Sequence, residues 1–356
     1  IQTSRHAAKR CVLTGTPFPR TYGDGLTLFR LLYPEGDVLT PRERVQIRHA
    51  GERGDHAKAR ACLKPAIDGL FYRVRKRDLN LTEQVFEPPR RVTMRPVERE
   101  LYECITKRIS ELEATRRHYD TDTLLRLRKG RQIRKRQATS FAALLGSAIE
   151  EVDYEEDLLI GADAYLREAL RTYAETEVPG KITAVMDELG ILQAKGEKVV
   201  VWSYFVGTLE RIQQECDRQD IRGKTIWGGT PTGEDAGATG RAAIIQEFTD
   251  PTSGLDVLIA NPAACAESIS LHKTCGHAIY YDLSYNCAQY LQSLDRIHRV
   301  GGSETRTARY SFLMYEDTFE GEILHNLIGK AQRMADIVDT DFPLALQELP
   351  ELEEMM

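Results

Sequence analysis

Short apolar runs alternate with helical stripes through the second half of the chain. KVVVW at Lys198–Trp202 is apolar without interruption, which suits a strand covered on both faces. A helix is expected over 206–216, a second strand over 223–227 and a second helix over 241–248. Further strands are expected at 255–260 (LDVLIA), 277–283 (HAIYYDL) and 308–314, with helices at 289–299 and 319–337. Strands that alternate with helices predict a parallel sheet covered on both faces. In such sheets ligands bind beyond the carboxyl ends of the strands. The loops to watch are therefore Ser203-Tyr204, 228–230, 261–268 and 284–286.

The first half follows another rhythm. A short strand is expected at 9–13 (KRCVL), broken by Thr14-Gly15-Thr16-Pro17, and a helix at 26–33 (LTLFRLLY), closed by Pro34. One strand is not a stable unit, so residues 1 to about 77 are expected to be the tail of a domain whose other strands lie upstream. Residues 38–56 are charged and predicted irregular. Residues 70–79 are basic, and Pro88-Pro89 marks a linker. From Pro96 to about Ala194 the pattern is helical: Val97, Leu101, Ile105, Ile109 and Leu112 hold one stripe, and Pro179-Gly180 opens a last helix, 182–192.

Length and charge narrow the class. A chain of 356 residues, 42% hydrophobic, has room for about two domains. Its net charge of −6 restricts any anion binding to local clusters. One such cluster is RLRKGRQIRKR at 126–136, with seven basic residues and no acid. Arg128, Lys129, Arg131 and Arg134 are its candidate contacts to a nucleic-acid backbone. The competing reading is a solvated helix face balanced by the acidic run 150–157. Seven cysteines without a C-x-x-C pair suggest a reducing compartment, and a cytoplasmic location is expected. Cys265, His272, Cys275 and His277 fit no common zinc spacing, so no metal is expected. No apolar run reaches the ~18 residues of a membrane span. There is no signal peptide, and the start at Ile1 rather than Met suggests a longer polypeptide. Residues 338–356 hold six acids and no base, as a solvated tail would.

The chemistry centres on NCAQYLQSLDRIHRVG, residues 286–301. At about 100° per residue, Gln292, Asp295, Arg296 and Arg299 share one helix face, opposite Cys287, Leu291, Leu294 and His298. Arginine keeps its charge and offers a planar fork of donors that matches phosphate oxygens. An exposed Asp–Arg pair on a helix is the bland alternative, and it would be worth little. The chain has no G-x-x-x-x-G-K-[ST] cradle and no acidic box to hold magnesium. Two phosphate-directed arginines without a cradle are half of a site.

The order of these motifs resembles the C-terminal half of a superfamily-two helicase-like ATPase, and within that group the Swi/Snf-type DNA translocases. LTGTP with LFRLLYP is similar to their third helicase motif, and LFYRVRKRDL with Pro88-Pro89 to the segment that joins their two lobes. VERELYECI and LLRLRKGRQ resemble the helical protrusion of the second lobe. VPGKITAVMDEL and KGEKVVVWSYFVGTLERI resemble the entry to that lobe and its fourth motif. IWGGTPTGEDAGATGRAAIIQEFTD is similar to a glycine–threonine turn followed by an arginine. LDVLIANPAACAESISLHKTCGHAIYYDLSYN resembles the fifth motif and QSLDRIHRVG the sixth. The chain departs at Ala264, Cys265, Ala266 and Ser268, where the family is glycine-rich, and at Gly302, where it has glutamine.

The resemblance implies a RecA-like parallel sheet with helices on both faces, an inserted helical protrusion and a remnant of the first lobe. The expected boundaries are 1–88 (remnant and linker), 89–194 (protrusion), 195–338 (second lobe) and 339–356 (acidic tail). It implies an ATP-dependent motor on double-stranded DNA, with ATP and Mg2+ held mainly by an N-terminal lobe, so that this segment alone is inactive. Arg296 and Arg299 become arginine fingers, Gln292 aligns water or phosphate, and Asp295 holds an arginine in place. Thr14, Gly15 and Thr16 couple nucleotide state to lobe movement. Ser203, Gly229, Thr230 and Ser268 fall where the family touches nucleotide or DNA backbone. Two other readings stay open: an RNA or strand-separating helicase, and a degenerate lobe serving as a scaffold.

Overall fold

Each long strand of the sheet alternates between two cores, because successive side chains point to opposite faces. In a computed structural model of the protein, residues 6–14, 22–36, 38–67, 76–114, 121–146, 164–265 and 269–338 are described. Strands β3 (Lys198–Trp202), β4 (Gly223–Ile226), β5 (Val257–Ala260), β6 (Cys275–Tyr280) and β7 (Ala308–Tyr315) form one parallel sheet in the order β7-β6-β3-β5-β4. Val199, Val201, Val257, Ile259, Ile279, Leu313 and Tyr315 join the core on one face. Val200, Trp202, Leu258, Ala260, Ala278, Tyr280 and Phe312 join the other. With both faces covered, these strands read as unbroken apolar runs. The predicted α/β class and the RecA-like parallel sheet are what the fold shows.

Helices α7 (Gly180–Ala194) and α8 (Val206–Arg218) pack on the first face. So do α4 (Pro96–Ala114), α5 (Thr121–Ser140) and α6 (Ala164–Thr176), through Leu101, Ile105, Ala138 and Tyr173. The second face holds α9 (Arg241–Thr249), the short α10 (Pro262–Cys265), α11 (Cys287–Leu294) and α12 (Glu320–Val338).

Three expectations are corrected. The strand at 9–13 is absent, since residues 10–14 carry no regular structure. Residues 38–56 are not irregular: α2 (Pro41–Glu52) starts from a capping box in which Thr40 and Glu43 satisfy each other's backbone N–H groups, and Pro41 opens the helix. With α1 (Gly23–Leu32) and α3 (His56–Ile67), α2 builds a small core of Phe29, Leu39, Ile47 and Leu63, against which Leu291 of α11 also packs. Nor does Pro88-Pro89 lie in a free linker. It separates β1 (Gln84–Phe86) from β2 (Arg90–Val92), and both pair in parallel with β7. Prolines carry no N–H, so they fit the break between two stretches of an edge strand.

Two buried polar anchors bind the α4–α6 helices to the sheet. Glu98, 1% exposed, accepts hydrogen bonds from Tyr315 Oη (2.5 Å), Tyr173 Oη (2.8 Å) and the Gly180 N–H (2.9 Å). Lys181 Nζ donates to Glu320 Oε1 at 2.5 Å and to the carbonyls of Thr139 and Tyr281. Burial pushes the Glu320 carboxyl above its ordinary value, while Lys181 pulls it back down.

Candidate functional site

The strands β3, β5 and β6 end side by side, and a polar network closes over their carboxyl ends. Asp282, 2% exposed, accepts from Ser203 Oγ at 2.5 Å, Ser140 Oγ at 2.7 Å and the Tyr204 N–H at 3.0 Å. Ser140 Oγ also meets Thr208 Oγ1 at 2.8 Å, at the start of α8. Arg136 donates from Nε to the Leu283 carbonyl at 2.9 Å and lies 5.2 Å and 5.0 Å from the ring centroids of Tyr204 and Phe205. Burial pushes its guanidinium below the ordinary value, opposed by Asp282. Just after β5, Asn261 Nδ2 donates to the Tyr204 carbonyl at 2.9 Å. The loop after β3 is thus held from α5, β5 and β6 together.

Ser203 was expected to offer its hydroxyl to a nucleic-acid backbone, and the structure corrects this. The residue is 0% exposed, and its hydroxyl is donated inward to Asp282. The sequence signal for Asp282 was an acid closing the apolar run HAIYYD, but only the neighbouring strand shows what it holds.

Beyond β6 the chain enters α11, capped by Asn286, whose side chain accepts from the Gln289 N–H. The helix ends at Leu294, not near Arg299 as expected, and Asp295 is its C-cap. Gln292, Asp295, Arg296 and Arg299 therefore do not share one continuous helix face. The chain turns, and Arg296 and Arg299 both reach the segment after β5. Arg296 Nη1 donates to the Ile269 carbonyl at 2.9 Å and its Nε to the Gln292 carbonyl at 3.0 Å. Its own carbonyl accepts the Leu271 N–H. Arg299 is exposed, and its Nη1 donates to Ser270 Oγ at 3.3 Å.

The turn that presents Arg299 is clamped from behind. Ser303 Oγ accepts the Arg299 N–H at 3.0 Å, and Glu304 Oε1 accepts the Gly301 N–H at 2.7 Å. Thr82, just before β1, donates from Oγ1 to the carbonyls of Ser303 and Arg306, and its own carbonyl is 2.8 Å from His298 Nε2. Gly301 has φ +92°, a left-handed conformation that glycine adopts without strain. At Gly302 a Cβ would overlap the His272 carbonyl, its carbon lying 2.8 Å away, so the departure from glutamine belongs to a close backbone approach. Burial, then the charge of Arg299, lowers the His272 imidazole below its ordinary value.

The glycine–threonine turn after β4 is equally fixed. Thr230 Oγ1 accepts the Trp227 N–H at 2.9 Å, and the Thr230 N–H returns to the Trp227 carbonyl at 3.0 Å. Arg241 bridges this loop to the next, donating to the carbonyls of Trp227 and Ala264. Gly229 is exposed, whereas Thr230 is 8% exposed.

The basic stretch on α5 divides. Arg126, Arg128 and Lys129 are exposed, and Arg131 is half-buried. Arg134 is 1% exposed, with Nη1 directed at Gln137 Oε1 (3.0 Å) and at the carbonyls of Leu144 and Leu145. Its expected role in backbone contact is corrected: the charge lies inside the fold. Thr14 is exposed, while Gly15, Thr16 and Ser268 lie outside the described residues. Among the described residues no group of three or more His, Cys, Asp or Glu side chains is placed to hold a metal, and no helix is long and apolar enough to cross a membrane.

Residues 180–301, from α7 to the arginine turn, match the model of the helicase conserved C-terminal domain. Together with the relatives below, this match supports a helicase-like C-terminal lobe similar to those of Snf2-type proteins. The chain is 31% identical over 170 residues to the SNF2 domain-containing protein CLASSY 4 of Arabidopsis thaliana, covering 47% of this chain and 14% of that protein. It is 23% identical over 350 residues to a zebrafish (Danio rerio) protein, SWI/SNF-related matrix-associated actin-dependent regulator of chromatin subfamily A containing DEAD/H box 1A, covering 88% of this chain and 34% of that protein. The fold is shared with the C-terminal part of the Fun30 ATPase domain, at a TM-score of 0.50 and 18% identity, over 69% of this chain and 90% of that one. The chain thus spans only 14% and 34% of these two relatives' lengths. The expected cytoplasmic location does not stand. These relatives are eukaryotic, one is a regulator of chromatin, and chromatin is nuclear.

Proposed function

We propose that this segment is the C-terminal portion of an ATP-dependent DNA translocase, supplying arginine fingers and backbone contacts to a motor whose phosphate cradle lies in another lobe. The observation that carries this reading is the Arg296–Arg299 turn. Arg296 is spent on two backbone carbonyls and fixes the turn, while Arg299 is exposed beside Ser270. Phosphoryl transfer spreads negative charge over oxygens, and a guanidinium brought up by lobe closure stabilises it, an effect of about 10³–10⁵ in rate in related chemistry. Of the pair, Arg299 is the finger that reaches the nucleotide, and Arg296 holds the loop that carries it. Gln292 sits one turn before, half-buried, where it orients water or phosphate.

The residues present fit only one side of a nucleotide. ATP with Mg2+ would supply the energy of the phosphoryl transfer, and this chain's donors would meet the terminal phosphate alone. Gly229 with the Thr230 turn, and Arg128 with Lys129 on α5, are the proposed contacts to the strands of double-stranded DNA. We keep the boundaries 1–88, 89–194, 195–338 and 339–356 as the proposed domains, with β1 and β2 lent to the sheet of the second lobe. Alternate gripping by two lobes then moves the motor along its track.

The test is ATP hydrolysis in the longer protein that includes the cradle, with double-stranded DNA, single-stranded DNA and RNA as stimulants. Strongest stimulation by the duplex is expected. Strongest stimulation by RNA would favour the RNA-helicase reading, and normal turnover in Arg299→Ala would remove the finger role. The isolated 356 residues are expected to hydrolyse no ATP.

A further inference from the structure

Trp227 is one of two tryptophans in the chain, and the two have opposite surroundings. Trp202 ends β3 and is 0% exposed. Trp227 follows β4 at the carboxyl edge of the sheet and is 36% exposed. A scattered exposed leucine needs no explanation, but this indole is held in place. The backbone that carries it is fixed: the main-chain N–H of Trp227 donates to Thr230 Oγ1, and its main-chain carbonyl accepts from the Thr230 N–H and, at 3.2 Å, from Arg241 Nη2. The six-membered part of the ring lies against Gly229, where an added Cβ would sit 2.5 Å from Cζ3. A side chain at 229 would push the ring away. Gly228 beside it has open space around its Cα, so the loop forms an open shelf.

We infer that Trp227 is a nucleic-acid contact that binds through the flat apolar face of a base or a sugar, next to the backbone contacts of the Gly229–Thr230 turn. This rests on the nucleic-acid reading proposed above. Three features favour it over a structural role. The loop that carries the ring is fixed by backbone bonds and the ring lies against Gly229, so less conformational freedom is lost on contact than for a free surface side chain. Its position at the carboxyl end of a parallel strand is where such sheets meet ligands. An aromatic face adds affinity without charge and tolerates any sequence, which suits a surface whose other contacts are made to the backbone. Gly229 acquires a second purpose: it is the seat of the ring.

The experiment pairs two readouts on the 356-residue chain titrated with a labelled oligonucleotide, as duplex and as single strand. Anisotropy of the label reports binding, and tryptophan emission reports Trp227, since Trp202 is buried. Binding should quench or shift the emission. Trp227→Phe should remove that change while keeping affinity within a few-fold. Trp227→Ala should weaken binding about tenfold, with the salt slope unchanged, because no phosphate charge is lost. A response to single strand alone assigns the ring to an unstacked base, and a response to both forms assigns it to the sugar edge. Binding by anisotropy with no emission change, or full affinity in Trp227→Ala, overturns the inference and leaves the nucleic-acid reading intact. No binding by the wild-type chain overturns both.

Discussion

The carboxyl edge of the sheet carries two polar regions of opposite character. The Asp282 carboxylate accepts from groups drawn inward from the same chain: Ser203 Oγ, Ser140 Oγ and the Tyr204 N–H. Around Arg299, Ser303 Oγ secures the backbone of the turn, and the guanidinium stays at the surface with a bond to Ser270. A closed network fixes geometry, because any missing partner leaves a buried group unsatisfied. An open donor on a fixed turn is held ready for a charge that comes from outside. On the function proposed above, stability is concentrated in the first region and chemistry in the second.

The sharpest way to break this contrast is Arg299→Ala in the longer protein. ATP turnover should fall by about 10³-fold or more, while the unfolding midpoint stays within the ±0.5 kcal/mol or so of a surface change. A large loss of stability would put Arg299 in the structural class instead. Next in size is Lys181→Met, which leaves Glu320 buried without its cation. A loss of about 3–5 kcal/mol in urea unfolding is expected. The double change with Glu320→Leu should recover much of it, and no recovery would mean that the ion pair is not what Lys181 serves.

Ser203→Ala comes third. It should cost about 1–3 kcal/mol of stability through the loss of a buried bond to Asp282. Nucleic-acid affinity per folded molecule should be unchanged, and a selective loss of affinity would restore the direct contact first expected of this residue. The two halves of the basic stretch supply a fourth test. Neutralising Arg128 and Lys129 should reduce the salt slope of duplex binding by about 2, at about 0.9 per phosphate contact. Arg134→Met should leave that slope alone and lower stability.

The smallest effect concerns His272 beside the arginine turn. Its ordinary value is 6.5, and burial with the nearby Arg299 charge lowers it in the fold. The unfolded chain thus binds a proton that the folded imidazole resists. Stability should be level above pH 6.5 and fall as the pH drops below it. An NMR titration should find His272 still neutral where an ordinary histidine is half protonated. Titration at the ordinary value would mean the ring is more open than the turn implies.

Much of the lobe was legible. KVVVW, LDVLIA and HAIYYDL named three central strands because strands covered on both sides must be apolar throughout, and the helices at 206–218, 241–249 and 320–338 followed from their stripes. The edge was not legible. QVF and RRV are three residues each, too short for a periodic signal, and what makes them strands is the free side of β7. The helix 41–52 was hidden by its charge, although Thr40 and Glu43 had spelled its start. On α5 the seven basic residues looked alike, and the division between Arg128 outside and Arg134 inside came from the way the chain folds back after α5, bringing the Leu144 and Leu145 carbonyls to Arg134.

By itself the sequence determined which segments would be buried strands, the order of the motifs and the presence of two neighbouring arginines, Arg296 and Arg299, since these follow from local apolar pattern and residue chemistry, whereas the turn that carries the two arginines did not follow from it. Tertiary structure decided which polar groups face inward. Ser203 and Arg134 turn away from solvent, while Arg299 and Trp227 stay outside. The physical reason is that a polar side chain takes the partner its neighbours offer, and for Ser203 those neighbours come from elements distant along the chain, while for Arg134 they come from the turn after α5. Asp282 is 79 residues from Ser203 and 142 from Ser140.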